Sequence, residues 1–422
     1  MYIHSNILNS NGIKGVFIFL ILIIPTSSIF SNSTCTSLKK NGYTESFNTD
    51  SIHSKTNIKT GAEQLDKYLS LLKNKRVGLV INQTATIGQT HLIDTLTSLG
   101  ITIKRIFAPE HGYRGTADAG EHVSAETDKK TGIPVVSLYG KNKKPSAEQL
   151  MDLDIVVYDI QDVGVRFYTY ISTMYLVMES CAENHKPFII LDRPNPNGDY
   201  VDGPVLDMSL KSFVGMLPLP VVHGLTSGEL AQMINGEKWL KDSLHCSVTI
   251  IPVANYTHST EYILPIKPSP NLPNHQAIRL YPSLGIFEGT NVSVGRGTYF
   301  PFQVLGSPYI TDTAFSFTPI SIVGMAKDPM YMNQKCYGFD LKKVTYKKAF
   351  DLSYVIKMYT LTSNKSTYFG TTNFFDKLCG NTLLKKQITD GLSEAEIRKT
   401  WQKELSTYKA MRKKYLLYTD FE

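Results

Sequence analysis

The sequence contains few cysteines, little charge and no long basic run. Only 5 of its 422 residues are cysteine, and their positions lack the close pairing of a zinc site. Charged residues make up 19% of the chain and the formal net charge is +7, so neither a disordered chain nor an arm that binds nucleic acid is expected. The odd number of cysteines leaves at least one thiol free or paired between chains.

Common cofactor and catalytic motifs are also missing. The first strand-like run is followed by "NQTATIG" (82–88) instead of the glycine pattern that binds a dinucleotide, and no phosphate-binding Gly-x-x-x-x-Gly-Lys occurs. His-Glu-x-x-His is absent, and the acids and histidines of residues 110–122 lack a regular helical face, so we expect no metal. "SLLK" (70–73) and "KTG" (130–132) match penicillin-binding signatures, but the accompanying Ser-Asp-Asn is missing, which disfavours a serine nucleophile. We therefore expect no cofactor.

The amino-terminal segment differs from the rest of the chain. Lys14 is the only charged residue among residues 1–33, and residues 16–24 are apolar without interruption. This pattern predicts a secretory signal peptide over residues 1–33 and an exported protein, periplasmic or extracellular. Cys35 leaves a lipid anchor in the membrane open as an alternative. Residues 34–57, rich in Ser, Thr and Asn, predict a flexible tether.

The remaining sequence is long enough for two hydrophobic cores. Continuous apolar runs, typical of strands in a parallel sheet, occur at 76–82, 103–108, 134–139, 154–159, 187–192 and 248–253. Helical patterns alternate with these runs, and Ser146 and Ser227 are the expected starts of two of the helices. The alternation predicts an α/β fold, with a Rossmann-like, mostly parallel sheet domain over residues 58–275.

Beyond residue 276 the alternation breaks down. Mixed segments there are followed by two amphipathic helical stretches, at 373–391 and 393–415. Ser393 and Glu396 have the spacing of a capping box at the start of the second stretch. Residues 276–422 therefore predict a second, smaller α+β domain.

Polar side chains follow four of the predicted strands. They are Asn82; Glu110, His111 and Arg114; Asp159, Gln161, Asp162 and Arg166; and Arg193 and Asn195. Because ligands of open parallel sheets bind beyond the carboxyl ends of the strands, we expect these residues to gather at one edge of the sheet. The strand beginnings carry nothing comparable.

Glu110 is the strongest candidate for a catalytic acid. It directly follows a predicted strand in "RIFAPEHGYRGTADAGEHV" (105–123), where several glycines permit tight turns. A carboxylic acid held at a strand end can donate a proton if its surroundings raise its pKa. The alternative is that Glu110 caps a turn or pairs with Arg114.

Four further segments could contact a ligand. In "YDIQDVGVRFYTY" (158–170), Arg166 could bind a carboxylate and Tyr168 and Tyr170 could stack on a sugar ring, although an ion-paired loop with tyrosines in the core is the alternative. His223 is another candidate, but a lone histidine is more often structural. Gly- and Pro-rich loops at 269–274 and 287–302 supply Asn271, Glu288, Asn291 and Arg296. These loops could close over the sheet edge or form ordinary hairpins.

Several segments resemble the NamZ-type exo-β-N-acetylmuramidases, a family long catalogued as a bacterial domain of unknown function. The matching segments are "GLVINQTA", "FAPEHGYRG", "DIVVYDIQDVGVRFYTYISTM", "LDRPNPNG", "GPVLD", "PVVHGLTSGELAQMINGE", "SPNLP", "FEGTNVSVGRGT" and "IRKTWQKELSTYKAMRKKYLLY". They run from about residue 76 to residue 418. The resemblance implies a Rossmann-like domain with a smaller C-terminal domain.

The resemblance also implies an activity and a set of residues. The family releases N-acetylmuramic acid from the non-reducing ends of peptidoglycan glycan fragments. Its Glu-His motif falls on Glu110 and His111, with Glu110 as general acid/base. Its other two motifs fall on Asp159, Gln161, Asp162 and Arg166, and on Arg193 and Asn195.

We therefore predict an exo-acting, metal-independent glycosidase of cell-wall turnover. Glu110 is the expected proton donor, and Glu121 or Asp162 is the expected second carboxylate. The reaction retains the configuration at the anomeric carbon if the two carboxylates lie about 5 Å apart, and inverts it if they lie roughly 6.5–9.5 Å apart.

Muramic acid carries a lactyl carboxylate, so one of Arg166, Arg193 and Arg296 is expected to select muramyl over glucosaminyl ends. The expected partners are peptidoglycan-derived glycans such as MurNAc-GlcNAc fragments, with no nucleic acid and no partner protein. The alternatives are an extracytoplasmic protein that binds muropeptides or sugars without turnover, and an amidase that cuts the peptide.

Overall fold

The computed structural model of the protein describes residues 57–422, apart from 111, 114–125, 129 and 311–312. The predicted signal peptide and all but the last residue of the predicted tether lie outside the described residues. Within the described part of the chain, no helix is both long and apolar enough to cross a membrane.

The described strands include six parallel strands at the centre of the molecule. The strands are β1 (Arg76–Ile81), β2 (Thr86–Ile87), β3 (Thr90–His91), β4 (Thr102–Ala108), β5 (Glu126–Thr127), β6 (Pro134–Ser137), β7 (Ile155–Asp159), β8 (Phe188–Leu191), β9 (Val248–Ile251), β10 (Val304–Ser307), β11 (Phe315–Phe317) and β12 (Cys336–Asp340). The main sheet has the order β5-β6-β4-β1-β7-β8-β9, in which only the edge strand β5 is antiparallel to its neighbour. This sheet confirms the predicted α/β fold with a mostly parallel sheet.

The central strands are apolar over most of their length because both of their faces are covered. The exceptions are Arg76 at the start of β1 and Lys104 and Arg105 in the first half of β4. Along β1, Val80 faces one hydrophobic cluster, and Leu79 and Ile81 face the other. Every residue of β7 is buried. A strand covered by helices on both sides has no solvent face, so its sequence shows no alternation of polar and apolar residues.

Helices cover the two faces of the sheet and form much of the carboxyl-terminal part. They are α1 (Leu65–Leu72), α2 (Leu92–Ser98), α3 (Ala147–Met151), α4 (Tyr170–Glu183), α5 (Ser227–Gly236), α6 (His275–Leu284), α7 (Ser353–Leu361), α8 (Phe374–Cys379), α9 (Leu383–Thr389), α10 (Glu394–Lys399) and α11 (Gln402–Arg412). Short 3-10 helices lie at Met208–Leu210, Lys241–Ser243, Gly285–Gly289, Lys365–Thr367 and Lys413–Tyr415. The strands β10, β12 and β11 form a small antiparallel sheet in that order, so a smaller part with antiparallel strands and helices follows the parallel sheet, as predicted.

Local capping explains where several helices begin. The side chains of Ser146 and Ser393 accept hydrogen bonds from the backbone N–H three residues later and complete the capping boxes of α3 and α10. The helix α5 begins at Ser227, as expected, and its N-cap is Thr226. The Thr226 hydroxyl accepts from the N–H of Glu229, and the Glu229 side chain accepts from the N–H of Thr226. Each of the two long helical stretches predicted near the carboxyl terminus is broken into two helices, α8 with α9 and α10 with α11.

One hydrophobic cluster joins the sheet to the carboxyl-terminal part. It contains Val80 and Phe107 from the central strands together with Phe350, Trp401 and Leu405. Residues 55–422 form one compact unit, and the predicted boundary near residue 276 stays a prediction.

Candidate active site

A cavity lies beyond the carboxyl ends of the parallel strands. Its volume is about 390 Å³, within the roughly 300–1,000 Å³ typical of small-molecule sites. It is lined by Glu110, Tyr139, Phe167, Tyr168, Thr169, Tyr170, Phe213, Val214, Ser269, Asn271, Leu272, Tyr281, Glu288, Arg296, Phe302 and Phe374. Residues before and after position 276 therefore build the same cavity.

Glu110 occupies the cavity wall two residues beyond the end of β4. Its Oε2 accepts a hydrogen bond from the hydroxyl of Thr169 at 3.2 Å, and the Tyr139 hydroxyl also interacts with its carboxylate. Burial, reinforced by the charge of Glu110 and the hydrogen bond to it, raises the pKa of Tyr139 to about 12. Burial also raises the pKa of Tyr170, and Glu110 adds to the effect. Both hydroxyls therefore stay protonated at neutral pH, and that of Tyr170 donates to the carbonyl of Pro268 at 3.2 Å.

A second carboxylate, that of Glu288, lines the same cavity. Both Nε and Nη2 of Arg296 lie 2.7 Å from its Oε1. Burial disfavours the charge of Arg296, but Glu288 outweighs this effect and raises the pKa of Arg296 above its ordinary value. Among the described residues, Nη1 of Arg296 is buried without a hydrogen-bond partner. The cavity thus holds two carboxylates and a cation that has one donor group to spare.

Aromatic rings form much of the remaining wall. Tyr168 meets Tyr170 edge-on at 4.8 Å between ring centroids and Tyr281 at 5.9 Å. Tyr281 also meets Phe302 edge-on at 4.9 Å. Tyr168 is 8% exposed, so only a small part of its ring is open to a ligand in the cavity.

Asp162 and His223 lie outside the cavity lining. Asp162 is buried, and its Oδ2 accepts from the N–H of Gly164 at 2.6 Å. Nε2 of His223 is 3.6 Å from the same oxygen, and Nδ1 of His223 accepts from the N–H of Leu225. The structure therefore gives Asp162, which was predicted as a second catalytic carboxylate, no place on the cavity wall.

Two of the arginines that were predicted to bind a ligand are engaged with other parts of the protein. Arg166 is 1% exposed, and it donates to the backbone carbonyls of Pro204, Leu219 and Leu378 at 2.7–2.8 Å. Arg193 makes a two-pronged ion pair with Asp159, with distances of 2.5 and 2.9 Å. Neither side chain lines the cavity, because each guanidinium is used to join buried segments of the fold.

Three other predicted site residues hold the loops that follow the strands. Oδ1 of Asn82 accepts from the N–H and the hydroxyl of Thr84. The Gln161 amide donates to two backbone carbonyls, and the Asn195 amide donates to the carbonyl of Leu225. All three predicted residues are buried outside the cavity lining, so their observed contacts are structural.

The predicted loops from the later part of the chain divide between the cavity and its support. Asn271 lines the cavity, and its amide donates to the carbonyl of Met325 at 2.9 Å. Asn291 lies behind the wall and donates to the hydroxyl of Thr367. His111, Arg114 and Glu121 lie outside the described residues, although Gly112 is described and has φ +73°, a conformation that glycine adopts without strain.

Sequence reasoning did not single out Tyr139, Thr169 or Tyr281 as site residues. Tyr139 is the last residue of a predicted strand, and Thr169 lies in the segment 158–170 that begins at the end of another. Their positions after strands were the available signal. Tyr281 lies inside α6, and nothing in the sequence around it indicated that its side chain would line the cavity. No group of three or more potential metal ligands occurs among the residues for which coordinates are described.

Comparison with known proteins places this geometry in a family. The family model "Exo-beta-N-acetylmuramidase NamZ, N-terminal" matches residues 77–276, and "Exo-beta-N-acetylmuramidase NamZ, C-terminal" matches residues 279–418. The chain is 38% identical over 389 residues to the peptidoglycan beta-N-acetylmuramidase NamZ of Bacillus subtilis (strain 168), a match that covers 86% of this chain and 92% of that protein.

Two crystal structures of DUF1343 family proteins from Bacteroides fragilis NCTC 9343 share the fold. The first has 48% sequence identity and a TM-score of 0.79, and covers 86% of this chain and 99% of that one. The second has 30% identity and a TM-score of 0.74, and covers 86% of this chain and 100% of that one. With both family models matched over most of its length, the chain belongs to the NamZ family of exo-β-N-acetylmuramidases.

Proposed function

We propose that the protein is an exo-acting glycosidase that releases N-acetylmuramic acid from the non-reducing ends of peptidoglycan glycan fragments, with Glu110 as the proton donor. The observation that carries the proposal is the presence of two carboxylates, Glu110 and Glu288, on the wall of one sugar-sized cavity. Hydrolysis of a glycosidic bond uses such a pair. Family membership supplies the substrate class.

Glu110 is suited to act on the leaving group. Its carboxyl proton passes to the glycosidic oxygen as the bond between that oxygen and C1 breaks. Water then adds to C1 and returns a proton to the Glu110 carboxylate, which restores the acid. Hydrogen bonds from Thr169 and Tyr139 fix the orientation of the carboxyl group. A fixed orientation keeps the donor in line with the oxygen that it protonates.

Glu288 is the carboxylate that we assign to the developing positive charge at C1. Its ion pair with Arg296 holds it in one position on the cavity wall. Negative charge placed in advance near a cationic transition state stabilises that state more than it stabilises the substrate. Glu288 lines this cavity whereas Asp162 does not, and the predicted role of Glu121 stays a prediction.

Arg296 is the group that we assign to the lactyl carboxylate of the muramyl residue. Arg166 and Arg193 are engaged elsewhere, whereas Arg296 lines the cavity and has Nη1 to spare among the described contacts. A charge-assisted hydrogen bond to a carboxylate contributes about 1.5–3 kcal/mol. Glucosaminyl ends lack this carboxylate and would bind less well.

Export remains part of the proposal. The charge-poor, apolar segment within residues 1–33 has the pattern of a signal peptide, and peptidoglycan lies outside the cytoplasmic membrane. Cell fractionation that finds the protein in the cytoplasm with these residues intact would contradict this part.

The first test compares the wild type with Glu110→Gln on a chromogenic β-N-acetylmuramide and on MurNAc-GlcNAc, with products identified by mass spectrometry. We expect kcat on the disaccharide to fall by about 10²–10⁴-fold, the contribution of a positioned acid, while binding persists. Glu183→Gln is the control, because Glu183 lies at the carboxyl end of α4, where it forms an ion pair with Lys144 away from the cavity. Unchanged turnover in Glu110→Gln would remove Glu110 from the mechanism, and binding without turnover in the wild type would favour the binding-protein alternative.

The second test measures the ratio of kcat/KM for muramyl over glucosaminyl substrates. Arg296→Gln should lower this ratio by about 10–100-fold, which corresponds to the loss of one charge-assisted hydrogen bond. Arg193→Lys should leave the ratio unchanged, since Arg193 is bound to Asp159. If Arg296→Gln keeps the wild-type ratio, the lactyl group is recognised by another residue.

A further inference from the structure

A short turn carries two exposed aromatic rings at the rim of the cavity. The turn comprises residues 294–302, and two of its members, Arg296 and Phe302, line the cavity. Between them, Tyr299 is 71% exposed and Phe300 is 43% exposed. Since consecutive Cα atoms are 3.8 Å apart, the Cα of Tyr299 lies within about 11 Å of the Cα atoms of both cavity residues. The exposed rings are therefore next to the cavity and cannot belong to a distant surface.

The turn is held in one conformation by its own hydrogen bonds. The N–H of Phe302 donates to the carbonyl of Val294 at 2.7 Å, and the hydroxyl of Thr298 donates to the carbonyl of Gly295 at 2.7 Å. The carbonyl of Gly297 accepts from the N–H of Ile320 at 2.8 Å, which ties the turn to the neighbouring segment. A turn built in this way presents its side chains without a large loss of entropy on binding.

Backbone strain in the turn also favours a role in ligand binding. Phe302 has φ +55°, a conformation that is rare and costly for a bulky residue. Such strain persists where the surrounding structure over-determines the backbone, and it is common at ligand-binding sites. Phe302 lines the cavity, whereas Tyr299 and Phe300 just before it are exposed.

The chemistry of the exposed pair suits an uncharged sugar ring. Nζ of Lys342 lies 4.4 Å from the centre of the Phe300 ring and covers one of its faces, whereas Tyr299 is the more exposed of the two. Ile320, hydrogen-bonded to the turn, is 47% exposed and extends the apolar surface. Exposed apolar surface next to a binding site is a common mark of further ligand contact, and the C–H groups of a pyranose ring pack well on an aromatic face.

We propose that Tyr299 and Phe300 form a stacking platform for the sugar that follows the terminal muramyl residue, an N-acetylglucosaminyl ring on the leaving-group side. This inference rests on the proposed function, because it takes the cavity as the site of the terminal residue. The enzyme then recognises two sugars. It binds the first through the charge of its lactyl carboxylate inside the cavity and the second through ring stacking at the rim.

The test separates the second sugar from the first. We compare wild type and Tyr299→Ala on methyl β-N-acetylmuramide, which has no second ring, and on MurNAc-GlcNAc. We expect kcat/KM on the disaccharide to fall about tenfold, equivalent to about 1.4 kcal/mol, with no change on the methyl glycoside. Tyr299→Trp should retain wild-type activity on both. Met151→Ala is the matched control, because Met151 is also 71% exposed but lies on α3.

A binding measurement keeps this inference testable even if hydrolysis fails. In the Glu110→Gln background, calorimetry should show that Tyr299→Ala weakens binding of MurNAc-GlcNAc about tenfold and leaves binding of the methyl glycoside unchanged. Equal effects on the two ligands, or no effect on either, would overturn the platform. A change of oligomeric state in Tyr299→Ala without a selective loss on the disaccharide would identify the patch as a self-association surface and would also overturn it.

Discussion

Arg166 provides a direct test of how the cavity is supported. Its guanidinium is almost completely buried and donates three hydrogen bonds to backbone carbonyls, one of them at Leu378. Hydrogen bonds from a charged group contribute about 1.5–3 kcal/mol each. Burial lowers the pKa of Arg166 to about 10, and a fall of this size below an ordinary value near 12.5 corresponds to a cost of about 3 kcal/mol for keeping the charge there.

We expect Arg166→Ala to lower the free energy of unfolding by about 2–5 kcal/mol, because three buried carbonyls lose their donors while the cost of the buried charge disappears. Urea denaturation followed by the fluorescence of Trp239 and Trp401 measures this change. Arg76→Ala is the control, since the ion pair of Arg76 with Asp154 is at the surface and contributes little.

A second variant, Arg166→Lys, distinguishes support from substrate binding. The preference for muramyl over glucosaminyl substrates should be retained by Arg166→Lys, measured below its unfolding transition. A free energy of unfolding within about 1 kcal/mol of the wild-type value in Arg166→Ala would refute the supporting role. A lost preference at unchanged stability would make Arg166 a substrate ligand after all.

Two further predictions concern stability. Burial raises the pKa of Asp192 to about 6, above the value of about 3.9 in an unfolded chain, so its stabilising contribution is complete only well below pH 4 and is lost as the pH rises through 6. The difference in unfolding free energy between the wild type and Asp192→Asn should therefore change by about 2 kcal/mol between pH 4 and pH 7. Urea titrations that show no change would contradict this. Gly380 has φ +85°, and a Cβ there would lie 2.4 Å from Nη2 of Arg166. Gly391 has φ +79° and open space around it, so Gly391→Ala should lose only about 1–2 kcal/mol of stability. Gly380→Ala should lose more than this in thermal unfolding. Equal losses would show that the contact with Arg166 is easily relieved.

The sheet was predictable because its strands are buried on both faces. Five of the six residues of β1 are uncharged and buried, and such a continuous run is typical of a strand covered on both sides. The breaks at Gly380 and Trp401 were not predicted, because the apolar periodicity continues across each of them. The start of α5 at Ser227 was predictable because a good capping residue precedes it, and the cap itself is Thr226, which pairs reciprocally with Glu229.

The site was predictable in outline, by the rule that strand ends converge, but not in its partners. Glu110 could be placed at the sheet edge from its position after β4. The sequence did not indicate that Arg166 binds the carbonyl of Leu378, which is 212 residues away, or that Glu288 and Glu110 line one cavity. Such pairings depend on tertiary packing over long sequence separations, and a chemically suitable arginine looks the same whether it binds a ligand or a carbonyl.

The cluster that contains both Phe107 and Trp401 has a practical consequence for anyone who divides this molecule. A fragment that stops near residue 276 would keep its parallel strands but would lose Phe350, Trp401 and Leu405, which pack in the same core. The truncated protein would expose a large apolar surface to water and would be prone to aggregate. The two halves recognised by separate family models are therefore interdependent in folding, and inhibitors or crystals should be sought with both present.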